Sequence, residues 1–327
     1  MGTQSGTIDQ GGTAEAAGVR RPIVPRKRRG RWRYRGTILL FLSPWLVGFL
    51  VFTLYPMVAS LYFSFTHYDM LTNPQWVGLS NYRFMFTEDP NCWLSLRNTL
   101  WMVVIATPIQ IVFAIACAMV VIRIKRGVGS YRTIFFVPTM VPAVAATLGF
   151  LFILNPGGPL DTILAFFHLP QPLWFQDPQW SKPGLLLLGM WGVGTVFIIF
   201  LAALLDVSKE LYEAADIEGA SPWQRFRHVT LPLISPVIFF AAVTGIIYGF
   251  QYFTEGYVAS GAQPSSLGNP QGSLLFYGIW LYQQGFQYFH MGYASALAWI
   301  LFLIIMACTL ILIRTSRHWV FYQGGFR

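Results

Sequence analysis

Six apolar runs limit what this 327-residue chain can fold into: Thr37–Val58, Thr99–Ile122, Thr133–Leu154, Gly184–Leu205, Pro236–Val258 and Tyr293–Ile313, which together hold one charged side chain, Glu255. At about 1.5 Å per helical residue each run can cross the roughly 30 Å of hydrocarbon in a bilayer. Charged residues make up only 11% of the chain, against about 25% in a soluble domain. The expected fold class is therefore an all-α integral membrane protein with six transmembrane helices.

The basic residues orient those helices. Nine of the 22 Lys and Arg residues lie between Arg20 and Arg35, directly before the first run, where anionic headgroups would meet them. That placement, more than the net charge of +9, argues for a membrane surface and against nucleic acid as the partner. With the N-terminus inside, 19 Lys and Arg fall on cytoplasmic segments and 3 (Arg83, Arg97 and Lys182) on external ones. The positive-inside rule then places both termini in the cytoplasm. Residues 1–35 read as a disordered, basic cytoplasmic tail, 36–315 as the membrane domain and 316–327 as a short cytoplasmic tail. The first apolar run is too long for a signal peptide and is not followed by a clear cleavage site.

Motifs for chemistry are missing where an enzyme would need them. Cys92, Cys117 and Cys308 show no paired spacing, and His67, His168, His228, His290 and His318 form no ligand face, so no metal site is expected. We find no paired Asp, no Ser/His/Asp grouping and no G-x-x-x-x-G-K-[ST] loop. Prolines Pro44, Pro56, Pro108, Pro138 and Pro142 interrupt three of the runs and predict kinked helices around a protein interior or aqueous cavity. The aromatic segment Ser273–His290 is too polar to span and is expected as an external or re-entrant helix.

One polar island breaks the apolar pattern, Ser208–Pro236, SKELYEAADIEGASPWQRFRHVTLPLISP. Ser208 opens a helix with Glu210 and Glu213 in its first turns, where carboxylates favour the positive end of the dipole. Gly219 supplies a left-handed stop. Ser221-Pro222-Trp223-Gln224 then forms a capping box with Pro at the first helical position. This second helix is expected to end near Val229, ahead of Pro232 and Pro236. Leu211, Ala214 and Ala215 share one side of the first helix, and small residues there let another surface approach its backbone. A plain solvated loop would carry the same local signals.

The island resembles the EAA loop of permease subunits of binding-protein-dependent ABC importers: Glu213, Ala214, Ala215, Gly219, Ala220, Phe226, Leu231, Pro232 and Pro236 match its pattern, with Glu218 where the sugar branch commonly has Asp. The stretches LSPWLVGFLVFTLYPMVASLYFSFTHYD, VGLSNY, RNTLWMVV, YRTIFFVPTMVP and MGYASALAWILFLI extend the likeness to the carbohydrate-uptake branch, in particular the first of its paired permeases. The resemblance implies that Glu213, Ala214, Ala215, Gly219, Ala220, Phe226 and Pro232 form a coupling helix docked on a separate ATPase. It implies as partners a second permease, two ATP-binding subunits that hold ATP and Mg²⁺, and an extracellular solute-binding protein, with this chain binding no cofactor. The expected setting is a prokaryotic plasma or inner membrane.

For the solute, the resemblance points to the spans flanking the island, where Trp191, Thr195, Tyr248, Gln251, Tyr252 and Glu255 lie at matching depth. Amides and carboxylates can bond sugar hydroxyls while aromatic faces cover apolar ring patches. A lone intramembrane carboxylate such as Glu255 is costly and by default functional. The cargo implied is a disaccharide, an oligosaccharide or a glycerol-phosphate-type compound. A permease for a non-carbohydrate solute and a secondary carrier are the competing readings; the carrier would bury several ionisable groups and need no EAA-like loop. The stretch Phe253-Thr254-Glu255-Gly256-Tyr257-Val258-Ala259-Ser260-Gly261-Ala262-Gln263-Pro264 departs from the relatives' F-D-x-I-Y-V-x-T-x-G-G-P, so a differently shaped loop is expected after the fifth run.

Overall fold

The computed structural model describes residues 30–124, 127–263 and 265–321, with side chains at 38 and from 40 onward. The tail expected over the first residues thus lies outside the description up to residue 29, as do residues 322–327. The chain is helical and separates into two compact units, Met1–Pro56 and Met57–Arg327. Among the described residues three helical stretches are long and apolar enough to cross a membrane, Leu40–Ser64, Pro90–Ile122 and Met291–Ser316, and three bent helix pairs bring the number to as many as six when each pair counts as one span.

In the first unit α1 (Gly30–Phe49) starts at Gly30, ahead of the expected Thr37, and leads into a π-helical turn, Leu50–Leu54. Its apolar side chains face outward, with Phe41 and Phe52 exposed, as lipid rather than water permits.

The chain enters the second unit along α2 (Tyr55–Ser64) and makes a two-residue antiparallel pairing of β1 (Thr66–His67) with β2 (Gln75–Trp76). There follow α3 (Ser80–Thr87), α4 (Pro90–Trp101), α5 (Thr107–Ile122), α6 (Val128–Phe136), α7 (Ala143–Ile153) and α8 (Pro159–Phe166). Next come α9 (Pro178–Trp191), α10 (Gly194–Leu205), α11 (Lys209–Ile217), α12 (Pro222–Arg225), α13 (Leu231–Leu233) and α14 (Ser235–Phe250). The last are α15 (Thr254–Ala259), α16 (Tyr277–Tyr282) and α17 (Met291–Ser316).

Of the prolines expected to kink the spans, Pro44 stays inside α1, and the others resolve into two different devices. Pro56, Pro108 and Pro232 each follow a π turn: Leu50–Leu54, Met102–Ala106 and Phe226–Thr230. In each case the residue just before the proline donates its N–H five residues back, Tyr55 to Leu50, Thr107 to Met102 and Leu231 to Phe226. The wider turn accommodates the missing N–H and the ring without ending the helix. The second helix of the polar island therefore continues to Leu233 instead of stopping near Val229.

At Pro142 the chain breaks instead, directly after a 3-10 turn, Val137–Met140, that contains Pro138. Val141 is extended because it precedes a proline, with φ −79° and ψ 128°, and Val128–Met140 meets Ala143–Ile153 at 101°. The third run is thus a helix pair sharply bent at its break. Milder bends of 51° and 65° separate Pro178–Trp191 from Gly194–Leu205 and Pro222–Leu233 from Ser235–Phe250. The fifth run also divides: α14 ends at Phe250, and α15 begins anew at Thr254.

Two apolar clusters hold this unit. In one, Ala114, Ile115, Ala118 and Val121 of α5 meet Phe197, Phe200, Leu201 and Leu204 of α10. Small residues there let helices approach closely, which in lipid must supply what the hydrophobic effect cannot. The α14 pair Gly245 and Gly249 does the same against the π turn, where an added Cβ would sit 2.5 Å from Thr107 and 3.0 Å from Val103. The other cluster joins Met85, Cys92 and Leu185 to Leu274, Phe276, Tyr277, Ile279 and Leu297. The segment expected as an external or re-entrant helix is largely packed inside the protein. Only α16 and a π turn, Gln283–Gln287, are helical in it, and Leu274–Tyr277 is buried.

Candidate functional site: a cavity at the helix breaks and a two-helix protrusion

The helix breaks open a cavity of about 850 Å³ within the second unit. Its walls come from the π turn and start of α5 (Thr107, Gln110), the α6–α7 break (Pro138, Thr139), the α9–α10 break (Trp191, Thr195) and the end of α14 with the start of α15. All six residues expected at solute depth, Trp191, Thr195, Tyr248, Gln251, Tyr252 and Glu255, line it.

Packing fixes some of these side chains and leaves others free. The Trp191 ring lies 5.6 Å from that of Phe150, and the Tyr252 ring meets Phe276 edge to face at 5.1 Å. Tyr248, by contrast, is 73% exposed, so its ring face is available to a solute. Gln110 packs its amide against Gly189, where a Cβ would stand 2.2 Å from Nε2. Gln110, Thr107, Thr139, Thr244 and Thr254 were not singled out from sequence, although a lone amide inside an apolar run was a usable signal for Gln110.

Glu255 owes its place to a distant set of hydrogen bonds. It sits in the first turn of α15, whose Gly256 rests on the Phe276 ring; a Cβ there would come within 2.5 Å. Phe276 belongs to a buried loop anchored by Asn98, which donates to the carbonyls of Gly272 (2.7 Å) and Leu275 (2.9 Å) and accepts from Lys182 Nζ (2.8 Å). Thr99 Oγ1 accepts from the Tyr277 N–H, and the Ser181 and Ser273 hydroxyls pair at 2.7 Å. Nearby, the buried Asp89 carboxyl caps α4 and accepts from Asn91 N, Cys92 N, Trp280 Nε1 and the Tyr293 hydroxyl, tying α4, α16 and α17 together. Two amides, five threonine hydroxyls, two phenols, a carboxylate and several ring faces thus surround the space. They can bond a polyhydroxylated solute and cover its apolar patches.

The polar island folds much as its local signals direct. Ser208 Oγ accepts from Glu210 N, Gly219 turns the chain at φ +77°, and Ser221 with Gln224 makes the reciprocal capping box. An ion pair between Asp216 and Arg225 and a hydrogen bond between the Tyr212 and Thr230 hydroxyls (2.9 Å) lock α11 to the second helix. Tyr212 and Phe226 pack against the α5–α10 cluster. Of the residues assigned to coupling, Glu213, Ala214 and Gly219 are exposed, whereas Ala215, Ala220, Phe226 and Pro232 are half-buried. Phe226 is therefore an anchor of the protrusion to the bundle. Ile217 (88%) and Trp223 (65%) are bare apolar side chains beside the exposed set.

Comparison with known proteins matches the family of binding-protein-dependent transport system inner membrane components over residues 110–320. The chain is 40% identical over 286 residues to the probable ABC transporter permease protein YesP of Bacillus subtilis, covering 87% of this chain and 91% of YesP. It is 32% identical to the arabinooligosaccharides transport system permease protein AraP of the same organism (91% and 96% covered), and 30% identical to the lactose transport system permease protein LacF of Rhizobium radiobacter (85% and 93%). Its fold matches a chain of a bacterial ABC transporter involved in the import of the acidic polysaccharide alginate, with a TM-score of 0.72 at 20% identity, over 87% of this chain and 96% of that one. On the family match and these identities, this chain is a member of the binding-protein-dependent transport system inner membrane component family, a permease of the ABC-transporter type.

Proposed function

We propose that this permease is one subunit of an ATP-driven importer that passes a disaccharide or oligosaccharide delivered by an extracellular binding protein. The observation that carries the reading is the cavity, whose lining pairs neutral hydrogen-bonding groups with ring faces. The names of AraP and LacF point the same way. In this reading Trp191, Thr195, Tyr248, Gln251, Tyr252 and Glu255 contact the solute. A second permease supplies the facing wall, and two ATP-binding subunits carry ATP and Mg²⁺. Both termini face the cytoplasm, as the 19 to 3 distribution of basic residues directs.

The protrusion is the transmission. Glu213 pairs with a basic group of the ATPase, Ala214 and Ala215 allow close approach, and Gly219 sets the angle between the two helices. The test is to reconstitute the chain in lipid with its partner permease, ATPase and binding protein and to measure ATP hydrolysis against a panel of saccharides. Stimulation by a neutral oligosaccharide, lost in Tyr248→Ala with Gln251→Ala, is the expected result. Stimulation by amino acids or peptides and by no saccharide would overturn the sugar assignment.

A further inference from the structure

Among the described residues that line the cavity there is no Lys, Arg or His, and Glu255 is the sole carboxylate. It is half-buried, and among the described residues no donor or cation pairs with it. The other polar groups lining the cavity, glutamine amides, threonine hydroxyls and tyrosine phenols, are neutral. A carboxylate held in a low-dielectric wall without a partner projects its field into the adjoining space, because neither water nor a counter-charge screens it fully. Gly256 seated on Phe276 and the Asn98-anchored loop beneath hold the first turn of α15 in that wall.

From this arrangement we propose that Glu255 is a charge filter: it accepts hydrogen bonds from hydroxyls of an uncharged saccharide and repels solutes that carry a carboxylate or phosphate. The inference rests on the cavity being the solute path, and it deepens that reading by naming the class of cargo. Glycerol-phosphate-type compounds and uronate-bearing oligosaccharides are disfavoured, and neutral or amino sugars are admitted. Discrimination of this kind works through an added repulsion as much as through a better fit.

A thiol probe reads the field directly and needs no knowledge of the cargo. In the assembled importer Cys117 and Cys308 are replaced by alanine, buried Cys92 is left in place, and Thr195→Cys supplies one reactive group on the cavity wall. Rates are measured with cationic, anionic and neutral methanethiosulfonates, the neutral reagent normalising for access; Thr244→Cys on α14 gives the same readout where Thr195→Cys proves unreactive. With Glu255 present the cationic reagent should outpace the anionic one. Glu255→Gln should cut that ratio by about tenfold, and Glu255→Lys should invert it. A ratio near one in the parent, or a ratio unchanged by Glu255→Gln, would overturn the filter. Failure of the sugar reading shows elsewhere, as absent saccharide-stimulated ATP hydrolysis, and leaves the reagent ratio unaffected.

Discussion

The protrusion and the cavity are both polar interruptions of an apolar chain, yet they are built in opposite ways. The protrusion is closed by contacts within a few turns of sequence: the Ser208 and Ser221 caps, the Asp216–Arg225 pair and the Tyr212–Thr230 bond. The cavity wall is gathered from residues between Met102 and Glu255, and its support spans further still, from Asn98 to Leu275 and from Asp89 to Tyr293. A motif whose contacts close within a few turns can be encoded locally. A space between helices can exist only once they have packed.

The comparison can be broken most severely at Asp89. Asp89→Ala strands buried donors on Trp280, Tyr293 and the α4 backbone, and is expected to cost about 3–5 kcal/mol, read as a lower Tm of the purified protein. The island, measured by ATPase binding to whatever folded protein survives, should be little affected. Asn98→Ala should follow at about 2–3 kcal/mol; because it frees the loop under α15, saccharide stimulation should fall before ATPase binding does.

Local changes come next and should show the reverse order. Gly219→Val meets no neighbour, so its cost of about 1–2 kcal/mol is the strain of a branched residue at φ +77°. Membrane insertion should persist while transport is uncoupled from ATP hydrolysis. Ser221→Ala removes a cap worth about 1 kcal/mol and should weaken ATPase binding without altering solute affinity. Least of all, Asp216→Ala breaks a half-exposed ion pair worth under about 1 kcal/mol, an effect that should shrink further in high salt. Normal coupling in Gly219→Val would remove the protrusion from the mechanism and leave the cavity reading standing.

Much of this was legible in the residues. Caps, the left-handed glycine and the apolar runs act within one or two turns, so Ser208, Gly219, Ser221 and Gln224 adopt the roles their types dictate. The reading erred where two solutions are open to the same residue. A proline can follow a widened turn, as at Pro56, Pro108 and Pro232, or break a helix, as at Pro142, and the choice depends on what packs against the freed carbonyls. Thr107 shows why: its hydroxyl reaches Met102 O at 3.2 Å while Gly245 of α14 presses on its methyl. The burial of Leu274–Tyr277 is likewise decided at a distance, because Asn98 and Thr99, far away in sequence, receive the backbone of this loop in the interior.

By itself the amino-acid order determined a polytopic helical membrane protein, its basic flanks and the capped helix pair, since hydropathy and capping are properties of short segments. Only the tertiary structure decided which helices break, which loop is buried and that Gln110 and Glu255 face one space. Those outcomes depend on the backbone hydrogen bonds and close glycine contacts that distant segments offer one another, and no local window contains both partners.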